Sequence, residues 1–215
     1  MRQVRYNLVL FDMDGTIADT DPMIVATFND LYDKYRGGKR RPPEELYYFS
    51  GPPIRETLRK EFPELDEESI FKEFYQVSRG YYETHIFPYP NCKEVLTRLK
   101  SQGITLGVVT NKLHDLALVV VDILGLTGLF DVVIGSDNVS KTKPDKEGML
   151  KAIEMVNGQK EKTLYVGDNA MDLATANNAG TDCCLVNWGP RVLPKGTNPK
   201  YMINSYLELE DIVYE

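Results

Sequence analysis

The chain has 215 residues, of which 42% are hydrophobic and 27% charged, and its formal net charge is −7. That length suits one large domain or a core with a smaller insert, and the acidic balance argues against broad nucleic-acid binding. No apolar run approaches the roughly 18 residues that a membrane span needs, and Asp12 interrupts the first apolar run too early for a signal peptide, so a cytoplasmic location is expected.

In chain order, "YNLVLF" (6–11) reads as a buried strand. It stops at two carboxylates, Asp12 and Asp14, followed by Gly15 and Thr16. Charge at the end of a buried run must be solvated, paired or used. The stretch 18–86 contains no convincing strand. Asp21-Pro22 is a good helix start, and Ile24, Phe28, Leu31 and Tyr35 recur at helical spacing, as do Ile70, Phe74, Val77 and Tyr81. "RGGKRRPP" (36–43) ends the first helix, and "SGPPIRETLRKEF" (50–62) reads as a loop running into a helix. Eight of the 13 tyrosines fall between Tyr32 and Tyr89, chiefly as packing for a small helical module. The hinges of that module are expected near 16–20 and 84–90.

From there strands and helices alternate. "ITLGVV" (104–109), "DVVIG" (131–135), "TLYVG" (163–167) and "DCCLV" (182–186) read as strands. Helices are expected at 92–101, 113–124, 145–157 and 170–179. This pattern predicts an α/β fold with a Rossmann-like parallel sheet covered on both faces and an inserted helical module. Cys92, Cys183 and Cys184 have no zinc-site spacing and are expected to be reduced thiols. Trp188, in "NWG" after the last strand, is expected to anchor the core edge.

Open parallel sheets bind ligands beyond the carboxyl ends of their strands. There the sequence places Asp12, Asp14 and Thr16, then Thr110, Asn111 and Lys112, then Ser136 and Asp137 with "KTKPD" close behind, then Asp168, Asn169 and Asp172. Clustered aspartates without Cys or His suit a hard cation such as Mg²⁺ rather than zinc. Hydroxyls, amides and lysines suit phosphate oxygens, and a carboxylate can itself be the nucleophile. Phosphoryl transfer needs mainly positioning and charge neutralisation, which such a set supplies.

"FDMDGT" (11–16), "VVTN" (108–111), "KTKPD" (141–145) and "VGDNAMD" (166–172) resemble, in order and spacing, the four motifs of the haloacid dehalogenase superfamily. The helical insert is similar to the type 1 cap of its phosphoglycolate phosphatase and β-phosphoglucomutase branch. The resemblance implies a catalytic core of residues 1–17 and 87–215 and a cap of residues 18–86. It implies Asp12 as the nucleophile and Asp14 as the acid and base. Thr110 and Lys143 would hold the transferring phosphoryl group, with Gly15, Thr16 and Asn111 near it. Asp12, the carbonyl of Asp14 and Asp168 would bind Mg²⁺, while Asp172 would orient the motif; read by itself, Asp172 is also a first-turn acid of the kind that the helix dipole favours. Gly51 and Arg55 of the cap loop would contact the substrate.

The function this implies is Mg²⁺-dependent hydrolysis of a small phosphorylated metabolite through an aspartyl-phosphate, with phosphoglycolate as first candidate. The alternatives are a pyrophosphatase of the same branch, a β-phosphoglucomutase-like mutase, and a catalytically idle phospho-ligand-binding protein. A dehalogenase fits less well, because that branch lacks the second aspartate. A response-regulator receiver domain also fits less well, because its phosphorylated aspartate follows the third strand. A monomer or weak homodimer is expected.

Overall fold

A computed structural model of the chain describes residues 3–214. The core is a six-stranded, all-parallel sheet built from β1 (Leu8–Phe11), β4 (Thr105–Val109), β5 (Val132–Ile134), β6 (Thr163–Gly167), β7 (Asp182–Val186) and β8 (Tyr201–Ile203). The strand order is β5-β4-β1-β6-β7-β8. All four residues of β1 are buried, as a central strand covered on both faces must be. The covering helices are α6 (Cys92–Ser101), α7 (His114–Ile123), α8 (Glu147–Met155), α9 (Ala170–Ala179) and α10 (Leu209–Val213).

The fold class is as the sequence predicts. The differences lie in short strands and at element ends: the two-residue β2 (Ala18–Asp19) falls in the stretch expected to hold none. β8 was not expected, because "YMI" is too short an apolar run to register as a strand. Helix α8 begins at Glu147 rather than 145. The Asp145 carboxylate accepts from the Glu147 amide at 2.9 Å, holding the two preceding residues in a turn.

Between β1 and the rest of the sheet lie α1 (Asp21–Tyr35), α2 (Pro43–Leu46), α3 (Ile54–Glu61), α4 (Glu67–Arg79) and α5 (Tyr82–His85). Phe28 organises their interior. Its ring lies 4.8 Å from Phe49, 5.7 Å from Phe74 and 6.5 Å from Phe62, centroid to centroid, within the range of favourable aromatic pairing. Two short strands, β2 (Ala18–Asp19) and β3 (Phe87–Pro88), pair antiparallel where the helical segment leaves and rejoins the core. Tyr32 and Tyr35 pack against Phe62. Trp188, just after β7, packs between Tyr89 and Tyr206 against the core. The three cysteines are buried and free.

Candidate active site

Parallel register brings the motif residues level. Phe11 pairs with Val108 on one side and Val166 on the other. Asp12 therefore leaves β1 beside the ends of β4 and β6, with Thr110 and Asp168 one residue further along. Adjacent strands lie about 4.8 Å apart, so groups separated by about a hundred residues in sequence share one small volume.

Asp12 is 1% exposed. Its Oδ1 receives the Lys143 ammonium at 2.8 Å, while its Oδ2 is buried without a hydrogen-bond partner. Lys143 also reaches Asp172 Oδ1 at 2.7 Å and the Tyr165 hydroxyl at 3.2 Å. Its backbone amide donates to Asn111 Oδ1 at 3.0 Å. Asp172 is fully buried, and its Oδ2 accepts from the backbone amides of Asp168 and Asn169 at 3.0 and 3.2 Å. Its place beneath the end of β6 requires Gly167, where a Cβ would fall 2.3 Å from the Asp172 Cβ.

Asp14 accepts from the Thr20 hydroxyl at 2.8 Å and pairs with Lys112 at 3.1 Å. Thr110 Oγ1 accepts from the Lys112 amide at 3.2 Å. Gly15 holds φ at +85°, and a Cβ there would lie 2.2 Å from Asp168 Oδ2. Thr16 is buried beneath the turn, its carbonyl accepting from the Tyr206 hydroxyl at 2.9 Å.

Asp12, Asp14, Thr110, Asn111 and Lys112 line one side of a cavity of about 490 Å³ measured out to its mouth. The helical segment supplies the facing wall, largely apolar: Met23, Ile24, Phe49, Ile54 and Phe74, with Tyr75 and Tyr82 beside them. Gly51 also lines the cavity, and its carbonyl accepts from Asn111 Nδ2 at 3.0 Å. Arg55, expected at the site, is not brought there. Its guanidinium lies 3.5 Å from the centre of the Phe71 ring and pairs with Glu68 at 3.0 Å, with 40% of its side chain exposed. The face of α3 that bears it turns toward α4 and solvent, because cation–π contact and the ion pair both lie there.

The electrostatics are those of crowded carboxylates. Burial pushes Asp12 up to about 8; Lys143 opposes the rise, while Asp172 and Asp168 add to it. Burial likewise raises Asp168 to about 7, opposed by Arg191 and assisted by Asp172. Burial disfavours the charged form of Lys143, but the carboxylates of Asp12 and Asp172 outweigh it and raise its pKa, keeping it cationic.

Carboxylate oxygens of Asp12, Asp168 and Asp172 lie within 4.8 Å of one another. The donors are all carboxylate oxygens, and one of the three residues, Asp12, has an oxygen without a partner. A hard divalent cation fits the oxygens of Asp12 and Asp168, whereas both oxygens of Asp172 are already engaged by Lys143 and by backbone amides; the cation would supply positive charge among the raised carboxyls.

Four contributors escaped the sequence reading as site residues. Tyr165 looked like core, as the middle of a buried strand does. Thr20 fell in the expected hinge and Asp21 at the start of a helix. Arg191 follows β7 by five residues, and the strand-end rule applied to that loop could have found it.

The comparisons agree with this architecture. Residues 9–186 match the haloacid dehalogenase-like hydrolase family. The chain is 31% identical over 209 residues to pyrophosphatase PpaX of Halalkalibacterium halodurans, covering 96% of each chain. It is 32% identical to pyrophosphatase PpaX of Listeria monocytogenes, covering 95% of each. Among solved structures, a predicted phosphoglycolate phosphatase from Haemophilus somnus superposes with a TM-score of 0.83 at 22% identity, over 97% of this chain and 98% of that one. The fold and the match together define a hydrolase of the phosphatase type. The chain belongs to the haloacid dehalogenase-like hydrolase family. No helix among the described residues is long and apolar enough to cross a membrane.

Proposed function

We propose that the protein is a Mg²⁺-dependent phosphatase of a small phosphorylated metabolite, acting through an aspartyl-phosphate on Asp12. The observation that carries this reading is the state of Asp12: it lines the cavity, it is held by Lys143, and one of its oxygens has no partner. An unpaired buried carboxylate oxygen is costly unless it has work to do.

Asp12 attacks phosphorus and the bond to the leaving oxygen breaks, its electron pair departing with that oxygen. Asp14, held by Thr20 and Lys112, gives the leaving oxygen a proton. Asp14 then takes a proton from water, the water oxygen attacks phosphorus, the bond from phosphorus to the Asp12 oxygen breaks with its electron pair returning to the carboxylate, and inorganic phosphate leaves. Thr110 and the Lys143 ammonium bind phosphoryl oxygens, with Asn111 and the turn amides at Gly15 and Thr16 beside them. Asp12, the Asp14 carbonyl and Asp168 would hold Mg²⁺, which supplies charge neutralisation between Asp12 and an anionic substrate. Asp172 anchors Lys143 and the turn after β6. Residues 18–86 act as a cap whose apolar wall keeps bulk water from the acyl phosphate. Only about 40 Å³ of the cavity has room for water, so it admits nothing larger than a small molecule. Arg55 has no part in this reading.

The test is Asp12→Asn. Asn keeps the size and removes the nucleophile, so hydrolysis of small phosphomonoesters should vanish while circular dichroism is unchanged. Near-normal turnover by the folded variant would sink the assignment. EDTA should abolish wild-type activity, Mg²⁺ should restore it, and Ca²⁺ should restore little, because its looser coordination misplaces the attacking oxygen.

Phosphoglycolate is the first candidate. Pyrophosphate is the second, favoured by the name of the curated relatives. The two differ in leaving group. Phosphate leaves without much help from an acid, whereas an alkoxide needs one. If phosphoglycolate is the substrate, its kcat/KM exceeds that for pyrophosphate, and Asp14→Asn depresses it about 10²- to 10⁴-fold.

A further inference from the structure

Arg191 sits on the loop after β7 and 5% of its side chain is exposed. Three acceptors surround it, and they belong to different parts of the molecule. Its Nη1 donates to Asp168 Oδ2 at 2.8 Å. Its Nη2 donates to Asp21 Oδ1 at the start of α1. Its Nε donates to the carbonyl of Tyr47 at 3.0 Å. Asp21 and Tyr47 belong to the helical segment; Asp168 stands at the end of β6 among the clustered carboxylates. A planar guanidinium can hold three such acceptors at once, which a lysine ammonium at the end of a flexible stem does poorly.

We infer that Arg191 is a positioning residue that couples closure of the helical segment to divalent-cation binding at Asp168. The inference rests on the proposed reading that Asp168 helps to hold the cation. Arg191 and a divalent cation draw on the same carboxylate. Both are cations drawn to one carboxylate, and a double and a single charge roughly 5 Å apart repel by about tenfold in affinity even at the dielectric constant of water. Cation binding therefore weakens the hold of Arg191 on Asp168 and, through the same guanidinium, on Asp21 and Tyr47. Linkage makes the effect reciprocal: whatever tightens the Arg191 bridge weakens the cation by the same factor.

The experiment uses the full chain, Mn²⁺ as the probe, and two readouts other than turnover. Mn²⁺ affinity is measured by paramagnetic resonance of the free ion, and amide exchange is followed in peptides covering residues 43–52. In the wild type, Mn²⁺ should speed exchange in that segment several-fold. Arg191→Met should bind Mn²⁺ about tenfold more tightly and exchange fast with or without the ion. Arg191→Lys, which keeps the charge but not the fork, should return the affinity to within about threefold of wild type while leaving exchange fast. Asp21→Asn leaves the Asp168 side intact and should speed exchange in 43–52 by itself, so the coupling can be judged even if the Met variant fails to fold. If the loss of Arg191 weakens Mn²⁺ binding, Arg191 serves only to orient Asp168 and the coupling is overturned. If the wild type binds Mn²⁺ but exchange in 43–52 does not respond, the coupling is overturned while the metal reading stands. If the wild type binds no Mn²⁺, both fall.

Discussion

Lys143 is the residue on which the carboxylates at the strand ends depend. It faces Asp12 and Asp172 within 2.8 Å and is 5% exposed. Replacing one partner of a buried ion pair leaves the others uncompensated, which costs roughly 3–5 kcal/mol. Lys143→Met should therefore lower stability by about that much in chemical denaturation and reduce kcat about 10²- to 10³-fold. A stable, fully active variant would show that the carboxylates are neutralised by something else. The motif around Lys143 was visible in the sequence, but its second anchor was not. Tyr165, whose hydroxyl lies 3.2 Å from the ammonium and donates to the Val109 carbonyl at 2.9 Å, stands in a five-residue buried strand. A tyrosine there reads as packing until its hydroxyl is seen to have partners.

At the scale of an element, the turn into α9 shows how a helix start can position a charge. Asn169 caps the helix, its side chain accepting from the amides of Met171 and Asp172, while its Nδ2 donates to Asp168 Oδ1 at 2.8 Å. One side chain thus fixes both the helix and the carboxylate before it. Asn169→Ala should cost about 1 kcal/mol of stability as a lost cap and weaken Mg²⁺ binding about 10- to 100-fold as a lost supporting hydrogen bond. Calorimetry on the metal-free protein and a Mg²⁺ titration separate the two effects. The extents of β6 and α9 were legible, because a buried β-run and a helical stretch adjoin there, whereas the capping by Asn169 was not. Arg55 shows where such reading stops. The loop-then-helix pattern at 50–62 was right, since α3 begins at Ile54. Which face of α3 meets the cavity depended on where α4 packs, and that is set by contacts distant in sequence.

For the whole molecule, the helical segment and the core meet through buried polar groups, not through an apolar interface alone. Asp21 is one of them. Burial raises its pKa to about 6, opposed by Arg191 and assisted by Asp19 and Asp14. An unfolded aspartate titrates near 3.9, so between about pH 4 and pH 6 the folded state holds the extra proton. Stability contributed by this group is greatest below that window and is lost as pH rises through it. Asn cannot titrate. The stability of Asp21→Asn relative to wild type should therefore rise between pH ~4 and pH ~7, by up to about 3 kcal/mol. Urea unfolding at the two pH values tests it; an unchanged difference would mean that Asp21 titrates as a solvated acid. The pairing of Asp21 with Arg191 spans 170 positions of sequence. No local pattern reveals such a contact, whereas the four motifs are legible because each is complete within a few residues at a strand end.

The chain has one tryptophan, and it stands three positions before Arg191 on the same loop. Trp188 lies 4.8 Å from the Tyr206 ring and 5.5 Å from the Tyr89 ring, and its indole N–H is buried without a partner. The protein therefore carries a built-in optical reporter at one defined place. Excitation at the red edge of its ultraviolet absorption addresses this indole alone, and the colour of the emitted light reports how much water reaches it. A loop that loosens should shift the emission toward longer wavelengths, and a loop that stays packed should not. Movements of the segment bearing Arg191 can thus be timed in a stopped-flow fluorimeter, without a label and without a substrate.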